Sequence, residues 1–144
     1  MWKIEKNMYN RVKSHYDKCG GMGSYSGHFE KLSLSSQTEI LSITGINTES
    51  EDVLFASYLK NEYLLVITNE YLYWHSTEEI INIRPLVDIK CIHADFKESA
   101  KRIRGLDCLR LETNEGEQFT IRMESGKTLS SIHNVLLLIA NLRK

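Results

Sequence analysis

The sequence predicts an α+β fold in which a bent antiparallel sheet of seven short strands is capped by a C-terminal helix. Three observations predict it. Short apolar runs rich in β-branched and aromatic residues recur from Val53 to Met123, polar turns separate these runs, and the last residues show a helical apolar period. The 144 residues suffice for one domain with a hydrophobic core.

The first eighteen residues are predicted to form an amphipathic helix. Its apolar residues recur at three- and four-residue spacing, and most of its lysines lie off that stripe. The apolar residues are Trp2, Met8, Tyr9, Val12 and Tyr16. The glycine-rich segment from Cys19 to Gly27 then predicts a flexible connection.

A second, short helix is predicted between these residues and the sheet. Its first turn falls at residues 35–39, where a serine acts as N-cap and Glu39 supports the first turn. Gly45 is expected to end it, because glycine readily adopts the left-handed conformation of a helix C-terminus.

Seven strands follow. We predict them at residues 53–59, 63–68, 71–75, 79–83, 87–94, 106–113 and 118–123. Asn69-Glu70 is expected to form a two-residue turn, and Pro85 to interrupt the ladder because proline has no backbone N–H. Residues 97–105 are polar and basic and are predicted to form a loop.

The final helix is predicted after an N-cap region at Ser125-Gly126, and its apolar residues run from Leu129 to Leu142. Its apolar face is broad, because Leu137 and Leu138 widen the stripe, so we expect the helix to be deeply packed or to have apolar contacts on two sides. An amphipathic helix at the open end of a bent sheet would bury side chains that otherwise face water.

This order of elements resembles bacterial pleckstrin-homology-like (PH-like) and GRAM-like domains over residues of about 50–144. The resemblance depends on the hairpin run 65–73, the strand change at 83–89, the late hairpin run 109–117 and the capping helix. It implies a PH-like barrel or roll at residues 46–144, with residues 1–45 as a helical extension. It also implies a binding module, most often for proteins. The loop Lys60-Asn61-Glu62 departs from the basic first loop of phosphoinositide-binding members.

Composition limits the classes of function. The net charge of −1 argues against nucleic-acid binding, which needs a clustered positive field. The N-terminus shows no secretory signal, and three widely spaced cysteines fit reduced thiols, so a cytoplasmic protein is expected.

Two groups of residues are candidate binding sites. The first is a basic cluster in the predicted loop, formed by Lys97, Lys101, Arg102 and Arg104. It would meet an anionic lipid or an acidic protein surface, or it is simply a solvated loop. The second is the pair Tyr71 and Tyr73. If Leu72 faces the core, the two tyrosines form an exposed interface pair, and in the opposite register they are core residues.

Catalytic and metal-binding patterns are weak. Cys91 and His93 are two residues apart on one predicted strand, which places them on one face, but no metal-ligand spacing or acid–base constellation accompanies them. We therefore expect no cofactor, no metal and no enzyme, and a small enzyme or metal protein using Cys91 and His93 is the weaker alternative.

The sequence thus predicts a non-enzymatic binding module, acting as an adaptor or immunity-like protein on a protein partner. The alternative is a membrane-surface module that binds anionic lipid through the basic cluster. A homodimer through the N-terminal helix is a further hypothesis, since Trp2, Tyr9, Val12 and Tyr16 would dock either on the sheet or on a second copy.

Overall fold

A computed structural model describes residues 2–75, 80–95 and 107–143. In these ranges the chain forms eight strands, three α-helices and three short 3-10 helices. The α-helices are α1 (Tyr9–Lys18), α2 (Leu34–Thr44) and α3 (Lys127–Leu142). The strands are β1 (Ser26–His28), β2 (Val53–Leu59), β3 (Tyr63–Thr68), β4 (Tyr71–His75), β5 (Ile81–Pro85), β6 (Ile89–Ala94), β7 (Cys108–Thr113) and β8 (Gln118–Arg122).

The first sheet contains strands β1 to β5 in sequence order, each antiparallel to the next. Local turn chemistry fixes its central hairpin, as predicted. The Thr68 hydroxyl accepts hydrogen bonds from the backbone N–H groups of Glu70 (3.1 Å) and Tyr71 (2.9 Å). A threonine before the two-residue turn thus supplies the acceptor that the turn's backbone donors need.

The second sheet contains β6, β7 and β8. The β7–β8 hairpin turns at Gly116, whose φ of +88° is a conformation that favours glycine. The predicted α+β class is confirmed, but the barrel expectation is not. Within the described ranges the strands form two separate antiparallel sheets, with no closed barrel.

Side chains, rather than a backbone ladder, join β8 to the first sheet. The Phe119 ring lies edge-on to Trp74, with centroids 5.2 Å apart, and the Arg84 guanidinium lies 4.8 Å from the Phe119 centroid. Arg84 also pairs with Glu117 at 3.2 Å. Cation–π and aromatic contacts of this kind hold two sheets together where hydrogen bonding between strands ends.

β3, the central strand of the first sheet, is buried on both faces, which explains why its residues 63–67 form an unbroken apolar run. Leu65 and Ile67 face a large core that lies against the second sheet, α1 and α3. Leu64 and Val66 face a smaller core with Ile40 of α2. α2 begins at the N-cap Ser33, whose hydroxyl accepts a hydrogen bond from Ser36 N, and ends at Gly45 in the left-handed conformation.

The N-terminal residues are part of this packing. Ile4, Val12 and Tyr16 lie in the large core beside residues of both sheets. Of the residues that the homodimer hypothesis would place in an interface, Val12 and Tyr16 are therefore buried within the chain, and Trp2 and Tyr9 are partly buried against the same core. The boundary between residues 45 and 46 stays a prediction, but the two sides share one core.

The prediction of a flexible connection at residues 19–27 is wrong. Residues 26–28 form β1, which pairs with β2. The Glu124 carboxylate accepts hydrogen bonds from Ser24 N, Tyr25 N and the Ser26 hydroxyl at 2.7 to 2.8 Å. A β-carbon on Gly20 would lie 2.1 Å from the Lys127 carbonyl oxygen, so these glycines permit close packing rather than mobility.

The C-terminal helix packs on two sides, as its broad apolar face predicted. α3 contacts β6 and α1. It also covers the outer edge of β6, because His133 Nε2–H donates to the Ile92 carbonyl (3.1 Å) and Arg143 donates to the carbonyls of Val87 and Ile89. None of the helices in the described residues has the length and apolarity to cross a membrane.

Candidate functional site

The candidate site is the apolar surface at the free edge of the first sheet. We call it the β5 surface and define it as Tyr71, Ile80, Ile81, Ile83 and Pro85. Ile80 is 57% exposed and Ile83 43% exposed. Ile83 lies in the edge strand and Ile80 directly before it. Large aliphatic side chains this open to water at a sheet edge are typical of an interaction surface.

Strand register sets which residues of β5 face outward. Tyr73 lies opposite Ile83 and His75 opposite Ile81, so these side chains share the sheet face that carries the smaller core. Leu72 and Trp74, opposite Arg84 and Asn82, lie on the other face. Ile81 packs partly on the smaller core, whereas Ile83 lies beyond it.

The backbone of β5 offers hydrogen bonds on its outer side. Leu86 N donates to Glu70 O at 2.8 Å, and bonded pairs alternate along an antiparallel ladder. Arg84 and Asn82 therefore bond to β4, while the N–H and C=O groups of Ile81 and Ile83 point away from it. Within the described part of the chain, no strand pairs with that side of β5. Pro85 occupies an outward position, where its missing N–H leaves the ladder intact.

Side chains of β5 form hydrogen bonds to backbone carbonyls at or beside this edge. Arg84 Nη1 donates to the Ile83 carbonyl at 2.8 Å, and Asn82 Nδ2 donates to the Ile80 carbonyl at 3.3 Å. Edge strands that would otherwise pair with other chains are often protected by charged side chains and proline. The Arg84 bond to the outward Ile83 carbonyl is an exposed side-chain hydrogen bond, which an incoming backbone donor is able to replace.

The structure corrects the exposed tyrosine pair. Leu72 faces the core, as that hypothesis required, yet Tyr73 is only 5% exposed because α2 and the residues around it cover the second face of the sheet. Tyr71 is half-buried, with its ring edge-on to Tyr73 at 6.1 Å. The sequence could not show that both faces of this sheet are covered. Tyr71 lies at the margin of the β5 surface, and its ring contacts the buried ring of Tyr73.

Two carboxylates, those of Glu51 and Glu70, lie near the buried Tyr73. The Tyr73 hydroxyl lies 2.9 and 2.7 Å from the two Glu51 oxygens. Burial, the hydrogen bond to Glu51 and the charge of Glu51 raise the Tyr73 pKa, so the phenol stays neutral. The Glu70 carboxylate also acts on Tyr73 electrostatically. Among the described residues, no lysine or arginine pairs with Glu51 or Glu70.

A second concave region lies at the other end of the first sheet. It is an open cleft of about 390 Å³ lined by Tyr25, Leu59, Tyr63, Asp107, Arg122, Met123, Glu124 and Ser125. Its polar groups hold the fold together. Arg122 pairs with Glu62 (2.8 Å) and Asp107 (3.4 Å), and its guanidinium lies 5.7 Å from the Tyr63 ring centroid. With Arg122 and Glu124 both engaged in structural contacts, this cleft is a weaker candidate than the β5 surface.

The structure pairs Cys91 with Glu112 rather than with His93. Cys91 Sγ donates to Glu112 Oε2 at 3.2 Å across the β6–β7 ladder, and His93 is exposed opposite Arg110. Burial, followed by the hydrogen bond and charge of Glu112, raises the Cys91 pKa. A thiol with a raised pKa is a poor nucleophile and metal ligand near neutral pH. Among the described residues, no cluster of three or more metal-ligating side chains occurs.

The basic cluster lies outside the described residues, so the anionic-lipid alternative stays a prediction. It consists of Lys97, Lys101, Arg102 and Arg104. Of the N-terminal bases, Lys3 and Lys6 are exposed, and Lys13 pairs with Glu30 at 3.3 Å.

Comparison with known proteins gives no assignment. No family model matches the chain, and a search of curated proteins found no match.

Proposed function

We propose that the protein is a non-enzymatic, cytoplasmic PH-like binding module whose β5 surface engages a protein partner, in the manner of an adaptor or an immunity protein. The order of the seven strands β2 to β8, followed by the helix α3, supports the PH-like part of the proposal. The single observation that carries the binding site is the exposure of Ile83 on an edge strand whose outward backbone groups bond to no described strand, with Ile80 exposed directly before that strand.

A protein partner fits this surface better than a small molecule. The β5 surface is open and follows a strand edge, whereas small-molecule sites are usually enclosed clefts with a few convergent polar groups. Strand addition and apolar anchors are two common ways in which proteins recognise extended segments.

The test is site-specific crosslinking. A photo-crosslinking amino acid replaces Ile83 in one variant and Thr120, an exposed residue of β8, in a matched control. Both are irradiated in the cells that produce the protein. We expect a discrete covalent adduct with another protein from residue 83 and not from residue 120. Adducts of equal yield from both positions, or none from residue 83, would contradict the proposal.

A further inference from the structure

We infer that the partner of the β5 surface is an extended segment that adds as a strand to β5 and carries aliphatic residues flanked by lysine or arginine. This inference rests on the proposed function, since it names the chemistry of the partner for the same surface.

The backbone geometry favours an extended partner. Outward N–H and C=O groups of Ile81 and Ile83 repeat every second residue, which is the spacing of an added antiparallel strand. Such a strand would replace the Arg84 side chain at the Ile83 carbonyl. A helix or a folded surface would leave these backbone groups to water, so they would add nothing to its affinity.

The aliphatic part of the partner follows from the exposed side chains. In an added strand, alternate residues lie beside Ile81 and Ile83 on the face of the smaller core. Aliphatic side chains at those positions would cover Ile83 and extend the core beyond α2. This burial is the main source of affinity that the surface provides.

Charge complementarity predicts the lysine or arginine residues of the partner. Tyr73 connects the two features, because it lies opposite Ile83 and its hydroxyl donates to the Glu51 carboxylate on the same face. Glu70 lies at the adjoining turn, opposite Leu86. Both carboxylates lack a basic partner among the described residues, and residues 19–76 carry seven acidic residues against two basic ones. A lysine or arginine flanking the aliphatic residues, on the same face, would meet this negative field.

Three synthetic peptides test the inference with the full chain. The first is a labelled nine-residue strand with threonines on one face and, on the other, two central isoleucines flanked by lysines. The second has glutamates in place of the lysines. The third is the lysine peptide with N-methyl groups on the backbone nitrogens that would donate to β5. Binding is measured by fluorescence anisotropy at low and physiological salt.

We expect the lysine peptide to bind about fivefold more tightly than the glutamate peptide at low salt, as two exposed ion pairs allow, and less so at higher salt. The N-methylated peptide should not bind. In the double variant Glu51→Gln, Glu70→Gln, the preference for lysine should disappear, whereas the control Glu115→Gln at the exposed β7–β8 turn should keep it.

Other outcomes would overturn the inference. Equal binding of the lysine and glutamate peptides would remove the charge argument, and binding of the N-methylated peptide would remove strand addition. Light scattering that shows a dimer, abolished by Ile83→Glu, would make a second copy of the chain the occupant. If no peptide binds while residue 83 still crosslinks a partner, this inference fails and the proposed function stands. If neither occurs, both fail.

Discussion

Replacing Tyr16 by alanine tests whether the N-terminal residues belong to the same cooperative unit as the sheets. Tyr16 of α1 is fully buried, and its ring stacks on Phe55 of β2 with centroids 4.7 Å apart. Its hydroxyl lies 2.6 Å from Thr128 Oγ1 at the start of α3. One side chain therefore contacts the N-terminal helix, the first sheet and the C-terminal helix.

The expected loss of stability is large. Truncating a buried aromatic side chain to alanine costs about 3–5 kcal/mol, because both transfer energy and packing are lost. A domain of this size is stable by about 10 kcal/mol, so Tyr16→Ala should remove roughly a third to a half of it. The melting temperature should fall by about 10 °C. The control Arg11→Ala, at an exposed site of the same helix, should change stability by less than about 0.5 kcal/mol.

The assay is urea unfolding followed by tryptophan fluorescence. Trp74 lies 1% exposed in β4, so its emission reports the sheets rather than α1. Trp2 is half-buried against the same core and should first be replaced by phenylalanine. If Tyr16→Ala leaves the Trp74 midpoint unchanged, residues 2–45 are an independent appendage and the shared-core interpretation is wrong. The same reasoning predicts that deletion of residues 1–45 unfolds the sheets.

Three further predictions concern the same packing. A double-mutant cycle combines Tyr16→Phe with Thr128→Val. Each single change should lower stability by about 1–3 kcal/mol, because it leaves a buried hydroxyl unpaired, and the double variant should lose less than the sum of the two single losses. Additive losses would argue against the hydrogen bond. Gly20→Ala should lower the free energy of unfolding by at least about 2 kcal/mol, because the new β-carbon would meet the Lys127 carbonyl. The control Gly45→Ala should cost less, because the space around Gly45 is open and only its φ of +71° is strained. Equal losses of the two variants in denaturant titrations would contradict this. Burial raises the pKa of Tyr16 to about 12, so the unfolded chain loses the phenol proton at lower pH than the folded chain. The contribution of this tyrosine to stability should therefore be complete below about pH 10 and fall by about 1.4 kcal/mol per pH unit between pH 10 and 12. A Tyr16→Phe variant that shows the same alkaline slope in urea titrations would refute the assignment to Tyr16.

Local sequence was enough to place most elements. β2, β3 and β4 begin and end where the apolar runs predict, and the later strands differ from prediction by at most two residues at either end. Hairpins form from neighbouring segments, so turn residues such as Thr68 and the alternation of side chains carry the necessary information. α2 and α3 follow for the same reason, since caps and apolar spacing are local properties.

The candidate site was harder to predict. Tyr73 was expected at an interface and is buried, because the sequence does not show that α2 covers the second face of the first sheet. Ile80 and Ile83 were predicted to lie in a strand, and the sequence did not indicate that they are exposed. A signal was present, since Pro85 at the end of that strand suits an edge position, but the exposed face of β5 follows from the order of strands in the sheet.

The sequence by itself determined the α+β class and the approximate positions of β2 to β8, α2 and α3, because these depend on periodicity, turn chemistry and residue type. Tertiary structure decided the rest. It turned the glycine-rich segment at residues 19–27 into a packed strand and turn, buried Tyr16 and Tyr73, and left Ile83 open to water. These outcomes depend on contacts between residues far apart in the chain, such as Tyr16 with Thr128 and Glu124 with Ser26, which no local pattern records.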